Sequence, residues 1–323
     1  MSLTATQVVS EFGAYYLGNE NNQNASRILQ LPLQKSETAD LFPLQITEAQ
    51  GLERRAQVGI DRILQPFQKA FTPISTTTFT PRSIAMFRLK IDLQENPDDL
   101  VSSWLGFLTN NNLDRTTWPF VRWWIEEVLM KGHQRDLEMN EIYAGAYAAP
   151  TPGTAGSVST AMDGIKTLIN DAYGAGDLDG LVTLGAVPTD AKEFCTYVED
   201  FCKGIPELYW GENMQIAMSK VLQVRYREGR ALKYNMAYAQ ETNLDKVKNY
   251  DNFSIKGVSS HYGSTKIWTT PEYNKARLVN GIGNIEKFEV EKVDRKVKLY
   301  TDYFLGIGFW IPEIIFTNDV ELS

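Results

Sequence analysis

From Phe87 to Leu93 the chain alternates strictly, with Phe87, Leu89, Ile91 and Leu93 on one face and Arg88, Lys90 and Asp92 on the other. Period-2 alternation predicts a strand with one covered and one solvated face. The Thr-rich run Thr76–Thr80 is the expected partner strand, and Asn96-Pro97-Asp98-Asp99 the turn that ends the unit. Upstream, Leu52, Val58, Ile60, Ile63 and Leu64 are scattered among charged residues. That spacing predicts a short amphipathic helix within 47–69, ending near Pro66. Residues 1 to about 45 sustain no period, and Asn and Gln cluster at Asn19, Asn21, Asn22, Gln23 and Asn24. They read as an extended arm rather than a self-contained core.

Val121, Trp124, Ile125, Val128 and Leu129 recur at helical spacing, and the pattern extends from Trp118 to Tyr143. Unbroken, such a helix is roughly 39 Å long at 1.5 Å per residue. Gly132 is its weak point, costing about 1 kcal/mol against Ala. The small, uncharged, Pro/Gly-rich segment from Ala148 to Gly156 is the best linker in the chain. Helical patterns follow at about 158–172 and 190–203. The second is capped by Asp190 with Glu193 three residues on. Met214–Met218 is strand-like, and Ser219 can cap a helix that runs to about Asn235. Short apolar runs at 255–258 and 266–269 predict further strands. Alternation returns at Phe288/Val290 and Val297/Leu299, followed by apolar blocks at 303–312 and 314–316. Those blocks must rejoin a core, and Trp123, Trp124 and Ile125 are the expected partners. The first domain is then discontinuous, with residues 150–280 inserted.

Composition adds mainly exclusions. A chain of 323 residues, 43% hydrophobic and 22% charged, is ordinary for a globular protein and needs no disulfide or metal to fold. Lys and Arg number 32 against 40 Asp and Glu, a net charge of −8, which disfavours wrapping nucleic acid or coating an anionic membrane. Cys195 and Cys202 are seven apart. On one helix that is two turns, roughly 10 Å, beyond the ~7 Å that a disulfide tolerates, so both should be free. With only His133 and His261 in the chain, imidazole-based catalysis and zinc binding lose most of their material. The first residues carry no basic start or apolar core of a signal peptide, and no stretch approaches a membrane span. Phosphate-loop, dinucleotide, metalloprotease and nucleophile-elbow motifs are missing. Asp177-Leu178-Asp179-Gly180 reads as a turn. Glu126/Glu127, Asp98/Asp99 and Glu138/Glu141 read as solvated faces, His133 as surface and His261 as a loop residue. The expectation is a non-enzymatic protein with no catalytic, cofactor-binding or metal residues. An enzyme with an unrecognised carboxylate site beside the linker at 148–156 is the alternative from another class.

An arm, a projecting hairpin and one very long helix suggest an assembly subunit, because an isolated hairpin is marginal in water unless something covers it. In this order of elements the chain resembles the major capsid proteins of tailed bacteriophages, whose fold is shared with encapsulin shells and the herpesvirus capsid floor. The residues that carry the resemblance are Gln215-Ile216-Ala217-Met218-Ser219 leading into the helix of Tyr226, Phe253-Ser254-Ile255-Lys256-Gly257, and Gly263 to Thr270. The closing Leu305-Gly306-Ile307-Gly308-Phe309-Trp310-Ile311-Pro312-Glu313 belongs with them. The resemblance implies an arm and linking helix at 1–69, an extended hairpin loop at 70–97, and a peripheral domain with spine helix at 98–149 and 283–323. Residues 150–282 correspond to an inserted axial domain. It further implies a shell subunit forming pentamers and hexamers of an icosahedral virion capsid, made in the host cytoplasm and enclosing double-stranded DNA without sequence-specific binding. Its partners are other copies of itself, with scaffolding, portal or decoration proteins, and no membrane or cofactor. An encapsulin-like compartment shell is the runner-up. Phe87, Leu89, Ile91 and Leu93, on the loop that lies over a neighbouring subunit in this family, become the intersubunit contact candidates.

Overall fold

The computed structural model describes residues 3–17, 37–60, 63–74, 77–234, 244–280 and 289–322. The Asn/Gln cluster at 19–24, Thr76 and Phe288 lie outside them.

Residues near the N-terminus are not the extended arm that their lack of period suggests. Thr4 and Gln7 form a capping box, satisfying each other's backbone N–H groups, and start helix α1 (Ala5–Phe12). Val8, Phe12 and Tyr16 then pack against Phe120, Val121, Trp124 and Ile125. Strand β1 (Leu44–Thr47) follows. The stretch expected to be a helix is instead strand β2 (Leu52–Ile60). Leu52, Ala56, Val58 and Ile60 all fall on even positions, so period 2 describes this segment better than 3.6.

Strands β3 (Thr77–Ala85) and β4 (Phe87–Glu95) are nearly continuous, separated only by Met86. One residue cannot form a hairpin turn, so the Thr-rich run is not the partner of Phe87–Leu93. β3 pairs antiparallel with β2, from Leu52 opposite Ala85 to Ile60 opposite Thr77. β4 pairs with the long strand β12 (Lys296–Phe309), from Phe87 opposite Leu305 to Glu95 opposite Val297. The far edge of β12 takes β11 (Glu289–Val293) near its start and β10 (Lys275–Asn280) near its end, and β1 lies parallel to β10.

Helix α2 (Pro97–Asn110) starts with Pro97 in its first turn and leads to the long rod α3. Four consecutive segments, Phe120–Trp123, Trp124–Leu129, Met130–Asp136 and Leu137–Glu141, make up α3. The second and fourth are π-helical. Gly132 is tolerated within an α-helical turn. The apolar face of α3 meets Val297 and Leu299 of β12, so the expected partners Trp123, Trp124 and Ile125 are used, although by residues upstream of the 303–312 block.

Beyond the linker the expected helix at 158–172 starts later, as α4 (Ile165–Ala175), preceded by turns. Helix α5 (Ala191–Gly204) starts where Asp190 was expected to cap it, the carboxylate accepting from Glu193 N–H at 3.0 Å. Helix α6 (Lys220–Tyr234) follows β6 (Met214–Ser219). A six-stranded sheet runs in the order β5-β13-β9-β6-β8-β7, where β5 is Gly180–Val182, β7 Lys246–Val247, β8 Tyr250–Val258, β9 Trp268–Thr269 and β13 Phe316–Asn318. The chain crosses between the two sheets more often than the expected boundaries at 149–150 and 282–283 provide for. β10 joins the β12 sheet, and β13 is the centre of a β5-β13-β9 strip in the other. Cys195 and Cys202 are buried and free on α5, and burial raises both thiols, Cys195 to about 12.

Candidate assembly surface

Hairpin β2–β3 is held at one end and bare at the other. At its base Ile84 and Met86 pack with Ala276, Leu278 and Trp310. Met86 N–H donates to the Gly51 carbonyl at 2.5 Å. The Arg55 guanidinium lies 4.0 Å from the centre of the Trp310 ring, within cation–π range. Arg82 pairs with Glu313 and donates through Nε to Gln57 at 2.7 Å. Gly306 and Gly308 of β12 leave room for this crossing; a Cβ on Gly306 would stand 2.3 Å from the Ala85 carbonyl oxygen.

Away from the base the side chains face outward. Val58 and Phe79, directly across the ladder from each other, are exposed. Beyond the strands, Phe67 and Phe71 are each 93% exposed, and Ile63, Leu64 and Ile74 are also bare. This is an apolar projection with a rigid root. Five large exposed apolar residues within 63–74 are far more than chance scatter on a monomer surface.

The row proposed from sequence sits elsewhere. Leu89 is 7% exposed and packs with Leu137, Tyr303 and Leu305. Phe87 stacks near Tyr147, with ring centres 4.8 Å apart, and Ile91 and Leu93 pack on the α3 and β12 clusters. These four side chains therefore do not project from the core as expected. The α3 rod covers their face, and side chains of the neighbouring strand β12 flank them. The residues that do project, Phe67, Phe71 and Phe79, were passed over because the segment was read as a helix and a polar Thr run.

A second apolar surface lies on α6. Its inner face is Leu222, Tyr226 and Arg230; its outer face exposes Val221, Val224 and Leu232.

The titratable groups are structural. Glu126, Glu138 and Glu141 are buried rather than solvated. Glu126 pairs with Arg122 at 3.3 Å, Glu138 accepts from Thr38 Oγ1 at 2.6 Å, and Glu141 accepts from the N–H groups of Ser159 and Ala161 at 2.9 and 3.0 Å. Glu141 thus fastens the linker to α3. His133 is half-buried; it meets the Tyr303 hydroxyl at 2.8 Å, and desolvation lowers it to about 4 against the opposing pull of Asp136. His261 is fully buried on a short 3-10 turn. Its Nε2 accepts from Trp268 Nε1 at 2.8 Å, and burial lowers it to about 3. Among the described residues no group of acidic, His or Cys side chains is placed to hold a metal, and no helix is long and apolar enough to cross a membrane.

No family model and no curated protein matches the sequence. The fold does match solved structures. A chain of the satellite phage P4 procapsid, determined with the size determination (Sid) protein, superposes with a TM-score of 0.56 at 10% identity over 92% of this chain and 98% of its own. A chain from the capsid of the native GTA particle gives 0.52 at 13% identity over 88% and 95%. This α+β chain therefore resembles the phage major capsid proteins along nearly its whole length and shares their fold.

Proposed function

We propose that the chain is a structural shell subunit that self-assembles into pentamers and hexamers of an icosahedral capsid around double-stranded DNA. One observation carries this reading: a full-length capsid-type fold bears a firmly rooted hairpin whose tip is apolar and uncovered. A soluble monomer gains nothing from leaving Phe67 and Phe71 in water, whereas burial of each against a neighbour is worth about 1.5–3 kcal/mol. In this reading the hairpin is the extended loop, its limits shifted to 52–85, and α3 is the spine helix. The β12 sheet belongs to the peripheral domain, and the six-stranded sheet with α5 and α6 to the axial domain. The outer face of α6 suits contacts within a capsomer. A net charge of −8 keeps packaged DNA from sticking to the shell. Scaffolding, portal or decoration proteins are further partners, and the virion is the place where the protein acts.

Electron microscopy of the expressed protein tests this, with and without co-expressed neighbouring genes. Closed particles or capsomer rings are expected. A monodisperse monomer at micromolar concentration under every condition would contradict it. Ferritin-like or peroxidase cargo inside the particles, in place of DNA, would convert the reading to a compartment shell.

A further inference from the structure

After β13 the chain sends two carboxylates into two separate turns. Asp319 Oδ1 accepts from the backbone N–H groups of Leu184 and Gly185, at 3.0 and 2.9 Å. Two residues on, Glu321 enters a more elaborate cradle. Its Oε1 accepts from Thr265 N–H at 2.6 Å and Thr265 Oγ1 at 3.0 Å, and its Oε2 from Ser264 Oγ at 2.9 Å. Lys166 Nζ stands 3.8 Å from Oε2.

The hydrogens of this cradle have one consistent arrangement. Ser264 Oγ accepts from Lys266 N–H at 3.1 Å and gives its own proton to Glu321, so the Tyr143 hydroxyl, 2.5 Å away, must donate to it. Three hydrogens, from Thr265 N–H, Thr265 Oγ1 and Ser264 Oγ, then point at the carboxylate, and the donors to Ser264 Oγ orient the last of them. Lys266 is buried as well, and burial lowers its amine to about 8 against the opposing pull of Glu321. Glu321 itself has φ of +52°, the left-handed region that a residue with a Cβ avoids. Its carboxylate contacts hold it in that conformation.

We propose that Ser264, Thr265 and Lys166 form a carboxylate-binding site, that Glu321 is its resident ligand, and that residues 319–322 are a releasable latch which keeps β13 seated between β5 and β9. Vacated, the site takes a small monocarboxylate. The latch stands whether or not the chain builds a shell.

The test is hydrogen exchange on the full chain carrying Glu321→Ala, with acetate as the probe and chloride at equal ionic strength as the control. The amides of Phe316–Asn318 should exchange at least about tenfold faster than in the unaltered chain, the scale of losing a charged hydrogen-bond acceptor. Acetate should slow them again and chloride should not. Unchanged exchange, or equal responses to acetate and chloride, would overturn the proposal. Glu321→Gln is the second variant, because it keeps the shape and removes the charge. Its amide nitrogen would face the Ser264 hydroxyl, so it too should loosen β13; wild-type exchange in this variant would show that charge plays no part.

Discussion

β3 and β4 are one extended stretch of chain, and they live in different environments. Both are nine-residue strands, and only Met86 separates them. β4 lies along β12 with its apolar row inside the protein's own clusters, whereas the first five residues of β3 are exposed on both faces and touch only β2. The pattern differs as well as the partner, since β4 keeps its apolar residues on one face whereas Phe79 and Ile84 fall on opposite faces of β3. Alternation reports that one face of a strand is covered; it does not report which chain covers it. On β4 the cover is internal, and on the β2–β3 hairpin we infer that it comes from a neighbouring copy.

The largest expected effect follows from that contrast. Leu89→Ala should destabilise the isolated subunit by about 2–5 kcal/mol, the usual cost of a truncated core leucine. Phe79→Ala, at an exposed position five residues beyond Ile74, should stay within about 0.5 kcal/mol. Urea denaturation of both variants, monitored by tryptophan fluorescence, measures the difference. If Phe79→Ala proves the more damaging, the hairpin is part of the subunit core and the contrast collapses.

Two glycines sharpen it further. At Gly306, where the hairpin base crosses β12, a Cβ would meet a backbone carbonyl and Met86 Cγ, neither of which can rotate out of the way cheaply. Gly306→Ala should cost about 1–3 kcal/mol, as overpacking does. At Gly59, inside the hairpin, a Cβ meets only the Thr78 hydroxyl at 2.7 Å, a group that can turn away. Gly59→Ala should lie near zero, because the smaller unfolded-state entropy of Ala offsets the lost Thr78 contact. Differential scanning calorimetry of the two variants checks the ranking.

The elements legible in the sequence were those with local causes. Asp190 and Glu193 mark the start of α5, and the stripe from Val121 to Leu129 marks α3. The Cys195–Cys202 spacing requires free thiols, and they are free. Reading failed where partners far along the chain decide. β2 was mistaken for a helix because its apolar residues are diluted by Glu53, Arg54 and Arg55, and its strand character depends on pairing with residues about twenty-five positions later. The buried glutamates of α3 were mistaken for surface charges. Their partners Thr38, Ser159 and Ala161 belong to segments whose approach to the helix nothing local announces. The exposed tip was passed over because Phe67 and Phe71 carry no periodic signal at all.

Acid should act on the body of the subunit, where both histidines are held. Folding depresses His133 to about 4 and His261 to about 3, against about 6.5 when unfolded. Between those limits the unfolded chain binds more protons than the folded one, so stability rises with pH from about 4 to 6.5 and is lost on acidification. Glu37 and Asp245 are lowered despite burial, because Lys220 and Arg227 bond to them, and they add to the loss at still lower pH. Glu11, raised by burial, works in the opposite sense near pH 4.5. Melting temperatures between pH 7 and 4.5 should fall, and His133→Gln should flatten the slope. A pH-independent melt in both proteins would show that neither ring is enclosed as described.

The smallest effect on stability should come from the tip, and there the comparison with β4 is decided. Phe67 and Phe71 contact almost nothing in their own subunit. Changing both to Ser removes no internal packing and takes apolar surface out of water, so the free subunit should melt within about 0.5 kcal/mol of the unaltered protein. If a neighbour covers the tip, the same change removes on the order of 3–6 kcal/mol of burial from every intersubunit contact. Association costs are themselves of that size or larger, so shells should fail to close. Thermal melts and particle counts by negative-stain microscopy separate the two quantities. A double variant that melts normally and still assembles would show that the tip is not a clamp. One that unfolds as a free subunit would show that the tip is buried in its own chain, as β4 is.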